Sequence, residues 1–175
     1  MTEQAKIARP LPRLILTTPE HVIAFGFGAG LAPFAPGTFG TIVGIPFFLV
    51  LMWLPPLYYA VAVTALFVFG CWACDRSAKL LGVHDYGGIV FDEIVGFLVA
   101  CIPLLPALQL RHGYLWHWLV AAFVLFRFFD ILKPPPIRRL DQSVHGGFGI
   151  MLDDVLAGGY SALLLAIATW IVPKN

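Results

Sequence analysis

The chain has 175 residues, of which 59% are hydrophobic and only 12% charged, and its formal charge is +1. Average soluble domains carry about twice that share of charge, so the mean hydropathy of +0.86 excludes a water-bathed globule. Near-neutrality also excludes a basic surface for nucleic acid. What remains is an all-α chain in a largely lipid solvent, a polytopic membrane helical bundle forming a single domain.

In chain order, residues 1–20 are expected to be a cytoplasmic N-terminal segment. MTEQAKIARPLPR has no apolar core ending in small residues, so it does not read as a removable signal peptide. Residues 21–40, HVIAFGFGAGLAPFAPGTFG, are broken by glycine and proline. Irregular backbone at membrane depth is tolerated only inside protein, so an interfacial or re-entrant segment is expected here. Residues 41–175 are expected to form the transmembrane bundle, with about five spans. These run over Thr41–Leu54, short and containing Pro46, then Leu57–Ala73, Ile89–Leu105, Tyr114–Leu132 and Val155–Val172. With the N-terminus inside, this arrangement gives the cytoplasm Lys6, Arg9, Arg13, Arg76, Lys79, Lys133, Arg138 and Arg139 and leaves Arg111 and Lys174 outside. That is the expected cationic bias, and four spans would reverse it at the N-terminus. Cys71, Cys74 and Cys101 are odd in number and lie in apolar stretches, so they imply no disulfide framework.

The same topology gathers the acids. Asp92 and Glu93 fall in the first turn of the third span, Asp130 in the last turn of the fourth, and Asp141 in the loop after it. Asp153 and Asp154 open the fifth span. All six therefore belong to the cytoplasmic end, where carboxylates in a partly dry setting repel unless protonated or neutralised. A divalent cation removes that conflict, and Mg²⁺ is commonly held by carboxylates together with substrate phosphate oxygens. Lys133, Arg138 and Arg139 follow Asp130 in FFDILKPPPIRRLD and suit a phosphate or an anionic headgroup. The glycines of VHGGFGIMLDD are expected to bring backbone close to a ligand at a helix N-terminus, with His145 beside them. Arg127, three residues before Asp130, reads as an internal helix partner. Metal-assisted chemistry on a phosphorylated lipid is the implied function.

Other signatures fail. Cys71 to Arg76 is one residue short of a Cys-x5-Arg phosphate loop, GTFGT lacks a P-loop lysine, and no Gly-x-Ser-x-Gly elbow occurs. Two rivals stand beside the phosphatase: a phosphotransferase on phospholipid headgroups and an ion-coupled transporter. The first lacks its Asp-x2-Asp-Gly-x2-Ala-Arg pattern here. The second would carry its acids near the membrane midplane in paired broken helices.

GFGAGLAPFAPGTFGT, GVHDYGGIVFDEIVG, FRFFDILKPPPIRRLD and VHGGFGIMLDDVLAG together resemble the phosphatidylglycerophosphatase A family of bacterial membrane lipid phosphatases, from about His21 to Ser161. The resemblance implies Mg²⁺-dependent hydrolysis of phosphatidylglycerophosphate to phosphatidylglycerol at the inner membrane, with a cytoplasmic active site. Its acidic motifs fall on Asp92 and Glu93, on Asp130 with Lys133, on Asp141, and on Asp153 with Asp154. Its glycine-threonine motif falls on Gly37, Thr38, Gly40 and Thr41. Asp92, Glu93, Asp130, Asp153 and Asp154 are then expected metal ligands, and Thr38, Lys133, Arg138, Arg139 and His145 substrate contacts. Asp141 is the candidate acid or base.

Overall fold

The computed structural model describes residues 12–83, 86–105 and 115–171, in which all regular structure is helical. Lys6, Arg9, Arg111 and Lys174, on which the charge count also rests, lie outside the described residues. The elements are α1 (Pro12–Thr17), α2 (Pro19–Ala24), a 3-10 turn (Gly26–Leu31), α3 (Pro36–Leu51), α4 (Pro56–Leu81), α5 (Phe91–Ala100), α6 (Leu115–Leu132), α7 (Ile137–Ser143) and α8 (Gly146–Ile171). Proline opens α2, α3 and α4 at the first turn, where its missing N–H costs nothing. Gly82, at φ +69°, closes α4 by donating its N–H to the last carbonyls.

α4 runs on to Leu81 rather than ending at Ala73, α5 covers only Phe91–Ala100 of the expected Ile89–Leu105, and two helix starts come earlier than expected. α3 begins at Pro36 rather than Thr41, and α8 begins at Gly146 rather than Val155. In both, glycines that weaken a helix intrinsically are retained because they face a neighbouring helix at very short range. The clearest case joins α5 to α8. A Cβ on Gly96 would lie 2.7 Å from the Asp154 carbonyl, and one on Gly158 would overlap the Gly96 carbonyl. Gly96 is one turn beyond Asp92, and Gly158 one turn beyond Asp154. The close crossing therefore sets the two acidic turns side by side.

α5 is the central helix. Phe91, Ile94, Val95, Gly96, Phe97, Leu98 and Ala100 are all buried, and Tyr59 of α4 donates its hydroxyl to the Leu98 carbonyl at 2.7 Å. α3, α4, α6 and α8 pack against it. Contacts fix their directions. Gly37 of α3 meets Glu93, Met151 of α8 meets Gly70 of α4, and Lys133 just after α6 meets Asp153. The start of α3, the end of α4, the start of α5, the end of α6 and the start of α8 thus share one end of the bundle. His21, buried in α2, lies 2.8 Å through Nδ1 from Ser77 Oγ and fastens the N-terminal segment to that same end. The far end carries the exposed aromatics Trp53, Tyr58, Trp116 and Trp170.

Pro56–Leu81, Leu115–Leu132 and Gly146–Ile171 are long and apolar enough to cross a membrane, and Pro36–Leu51 is apolar but shorter. Their outward faces carry Val61, Val68, Val120, Val124, Leu163 and Ile167, a surface suited to lipid rather than water. α5, at ten residues, rises only about 15 Å, short of the roughly 30 Å hydrocarbon core.

Candidate active site

Asp92 and Glu93 occupy the first turn of α5. Asp154 lies two turns inside α8, not at its opening, so the helix dipole does not account for it. One carboxylate oxygen from each of Asp92, Glu93 and Asp154 falls within 4.8 Å of the others. At that separation, like charges repel by roughly 3–4 kcal/mol per pair for an effective dielectric near 20. Glu93 Oε2 and Asp154 Oδ2 are buried and accept no hydrogen bond.

Two further acids border this trio. Asp130 Oδ2 lies 2.7 Å from Arg127 Nη1, and the same nitrogen lies 3.8 Å from Glu93 Oε1. Lys133 Nζ donates to Asp153 Oδ2 at 2.5 Å. Asp154 sits in the field of Asp130, Asp92 and Asp153, and Glu93 in that of Asp154 and Asp130. Carboxylates outnumber cations, and the surplus falls on the most buried members. Clustered hard oxygens with unfilled lone pairs fit a divalent cation of the Mg²⁺ type.

The expected residues separate into groups. Asp92, Glu93, Asp130, Asp153, Asp154 and Lys133 come together. Thr38 is half-buried beside Gly37, the glycine that touches Glu93. Arg138, Arg139 and His145 have exposed side chains, and neither arginine forms an ion pair among the described residues. Asp141 belongs to α7, a helix and not the loop expected after the fourth span; its side chain lies outside the described residues. The glycines of VHGGFGIMLDD do not form a ligand-facing turn. Gly147 packs on the Cys71 carbonyl, and its N–H reaches Asp75 Oδ1 at 3.4 Å. A carboxylate already occupies that helix start, which excludes an anion there.

Sequence reasoning understated two residues. Arg127 is the expected partner of Asp130, but it also reaches Glu93 across to α5; its spacing signalled only the first contact. A Cβ on Gly37 would overlap Glu93 Oε1 and lie 2.9 Å from Arg127 Nη1. Nothing local in the sequence predicts that approach.

Apolar helices around a buried acidic centre at one end define a membrane-type helical protein with a candidate cation site. The phosphatidylglycerophosphatase A family model matches residues 22–169. Phosphatidylglycerophosphatase A of Haemophilus influenzae is 44% identical over 165 residues, covering 93% of this chain and 97% of that protein. Its counterpart from Escherichia coli K12 is 44% identical over 153 residues, 87% of this chain and 85% of that protein. A Bacteroides thetaiotaomicron protein, provisionally named a phosphatidylinositol-3-phosphatase, is 40% identical over 86% of this chain and 94% of its own length. No solved structure matches significantly. The chain belongs to the phosphatidylglycerophosphatase A family.

Proposed function

We propose that this chain hydrolyses the terminal phosphomonoester of phosphatidylglycerophosphate, giving phosphatidylglycerol and phosphate in phospholipid biosynthesis, with Mg²⁺ as cofactor. The observation that carries this proposal is the convergence of Asp92, Glu93 and Asp154 in a chain of this family, with Glu93 Oε2 and Asp154 Oδ2 buried and lacking any donor. Bound Mg²⁺ would neutralise these carboxylates and polarise the phosphoryl group. Asp92, Glu93 and Asp154 would hold it, with Asp130 and Asp153, each also paired to a cation, as candidate further ligands at the edge. Arg127 fixes Glu93 and Asp130 relative to one another. Lys133, whose side chain is 30% exposed, meets the phosphate at the rim. Arg138, Arg139, Thr38 and His145 stand around the approach. Water oxygen bonds to phosphorus as the bond to the glycerol oxygen breaks, and Asp141 exchanges the proton between them.

The proposed setting is the bacterial inner membrane, with five passes, the short α5 making the third inside the other four helices rather than against lipid, and the site facing the cytoplasm. Supporting this, the five helices alternate in direction and the far end is aromatic. Arg76, Lys79, Lys133, Arg138 and Arg139 all stand at the acidic end, and no described cation stands at the other. The acids lie at one end of the bundle, unlike the midplane sites of ion-coupled transporters.

Phosphate release by purified protein in detergent tests the function. Release from phosphatidylglycerophosphate, faster than from phosphatidic acid and abolished by chelator, is expected; no release from the former would overturn it. Orientation is tested with single cysteines at Ser143 and Trp53 in a background lacking native cysteines. Labelling of the first but not the second by an impermeant reagent in intact cells would overturn the cytoplasmic site.

A further inference from the structure

A groove of about 260 Å³ runs between α3 and α6, lined by Ile42, Ile45, Trp116, Leu119, Val120 and Phe123. Both of its walls continue into the acidic site. On α3, Ile42 follows Gly37 by five residues, a descent of about 7.5 Å. On α6, which runs the other way, Phe123 precedes Arg127 by four residues, about 6 Å. The groove therefore opens roughly 6–8 Å below the level of Glu93 and Arg127 and extends away from them.

That offset has a chemical counterpart. The headgroup layer on each side of a bilayer is about 5–8 Å thick, and hydrocarbon begins below it. A lipid whose terminal phosphate sits among the carboxylates has its acyl chains starting at the depth where the groove starts. Headgroup chemistry at the top and a wholly apolar lining beneath suit one occupant, the chain of a phospholipid. We infer that the groove between α3 and α6 seats an acyl chain of the lipid substrate and so aligns its headgroup with the acidic site, an inference that rests on the phosphatase function proposed above. Bilayer tails are as apolar as the groove, so the seat contributes alignment more than affinity.

Ile42 and Val120 are 46% and 61% exposed, so each accepts a larger side chain without disturbing the core. Ile42→Trp and Val120→Trp would fill the groove from opposite walls. Val50→Trp, 72% exposed on the other flank of α3, is the control. Phosphate release is followed for dipalmitoyl phosphatidylglycerophosphate in mixed micelles and for the same headgroup without acyl chains. Both groove variants should lose between about 10- and 100-fold in kcat/KM on the long-chain lipid, as expected for a displaced reacting group. They should keep wild-type rates on the acyl-free compound, and Val50→Trp should match wild type on both. Equal rates for wild type and both groove variants on the lipid would overturn the inference, as would equal losses on the two substrates. Loss confined to Val50→Trp would place the chain on the other flank and overturn it too. Failure of the wild type on every substrate would instead remove the phosphatase function itself.

Discussion

α5 and α6 both feed the acidic site, and they are otherwise opposites. α5 is ten residues long and buried along nearly its whole length. α6 has eighteen residues and exposes Trp116, Val120, Val124 and Phe128. Each carries acids at the same end of the bundle, but these are balanced differently. Asp130 on α6 has Arg127 one turn back on its own helix. Glu93 on α5 has that arginine only at 3.8 Å, and has a carboxylate oxygen within 4.8 Å of one on Asp154. A helix shielded by four neighbours has no water to solvate its charges, so charge on it requires a partner from outside the helix. That difference separates two kinds of acid, a converging trio that calls for a cation and a bordering pair that already has one each.

The largest expected effect breaks the trio. Asp92→Asn, Glu93→Gln and Asp154→Asn should each lower turnover by about 10³-fold or more, since a metal clamp supplies several kcal/mol in the transition state. Without metal, these variants should melt at or above the wild-type temperature, because one of three crowded like charges is gone. The wild type should gain stability on adding Mg²⁺, and the variants should not. Near-native turnover at limiting Mg²⁺ would show that the trio is structural.

Gly37 tests the same trio without altering any charge. Gly37→Ala forces Glu93 or Arg127 aside, and a misplacement of about 1 Å can cost about 10²-fold in rate. The Mg²⁺-dependent rise in melting temperature should shrink in parallel. Gly159→Ala on α8, where an added Cβ meets nothing within 4 Å, should leave activity unchanged and stabilise the helix by roughly 0.5–1 kcal/mol. Equal behaviour of the two variants would remove Gly37 from the site.

The bordering pair should respond more weakly. Lys133→Met removes a charge-assisted contact of roughly 1.5–3 kcal/mol, so activity should fall by at least about tenfold while the Mg²⁺-dependent stabilisation persists. Loss of both signals would join Asp153 to the trio as an indispensable ligand.

These two kinds of acid were partly legible in the sequence. Hydropathy reports what a helix shows to lipid, so α4, α6 and the apolar part of α8 stand out. It cannot recognise α5 as the helix inside the others, because a buried helix and a spanning one are both apolar. Local propensity likewise places the starts of α3 and α8 too late, since their early glycines are kept by tertiary contact. Convergence of Asp92, Glu93, Asp130, Asp153 and Asp154 follows from the alternation of helix direction, which the basic residues reveal. The approach of Gly37 to Glu93 joins positions 56 residues apart and leaves no mark on either local sequence. The glycines before Asp153 show the reverse error, since a ligand-facing turn and a helix contact share one composition.

Arg138 and Arg139 should give the smallest effect and separate contact from attraction. Both are exposed on α7 and form no ion pair among the described residues. A cation near an anionic membrane surface contributes about 1 kcal/mol of attraction, which is roughly fivefold in local substrate concentration. Such attraction fades beyond a Debye length of about 8 Å at physiological salt. Replacing either arginine singly by Ala should therefore raise KM by a few-fold at low ionic strength, leave kcat unchanged, and lose most of its effect in high salt. Steady-state kinetics on mixed micelles at two salt concentrations would check this. A fall in kcat that survives high salt would move these arginines from the rim into contact with the reacting phosphate, and the site would then extend from the helices that bury it onto α7.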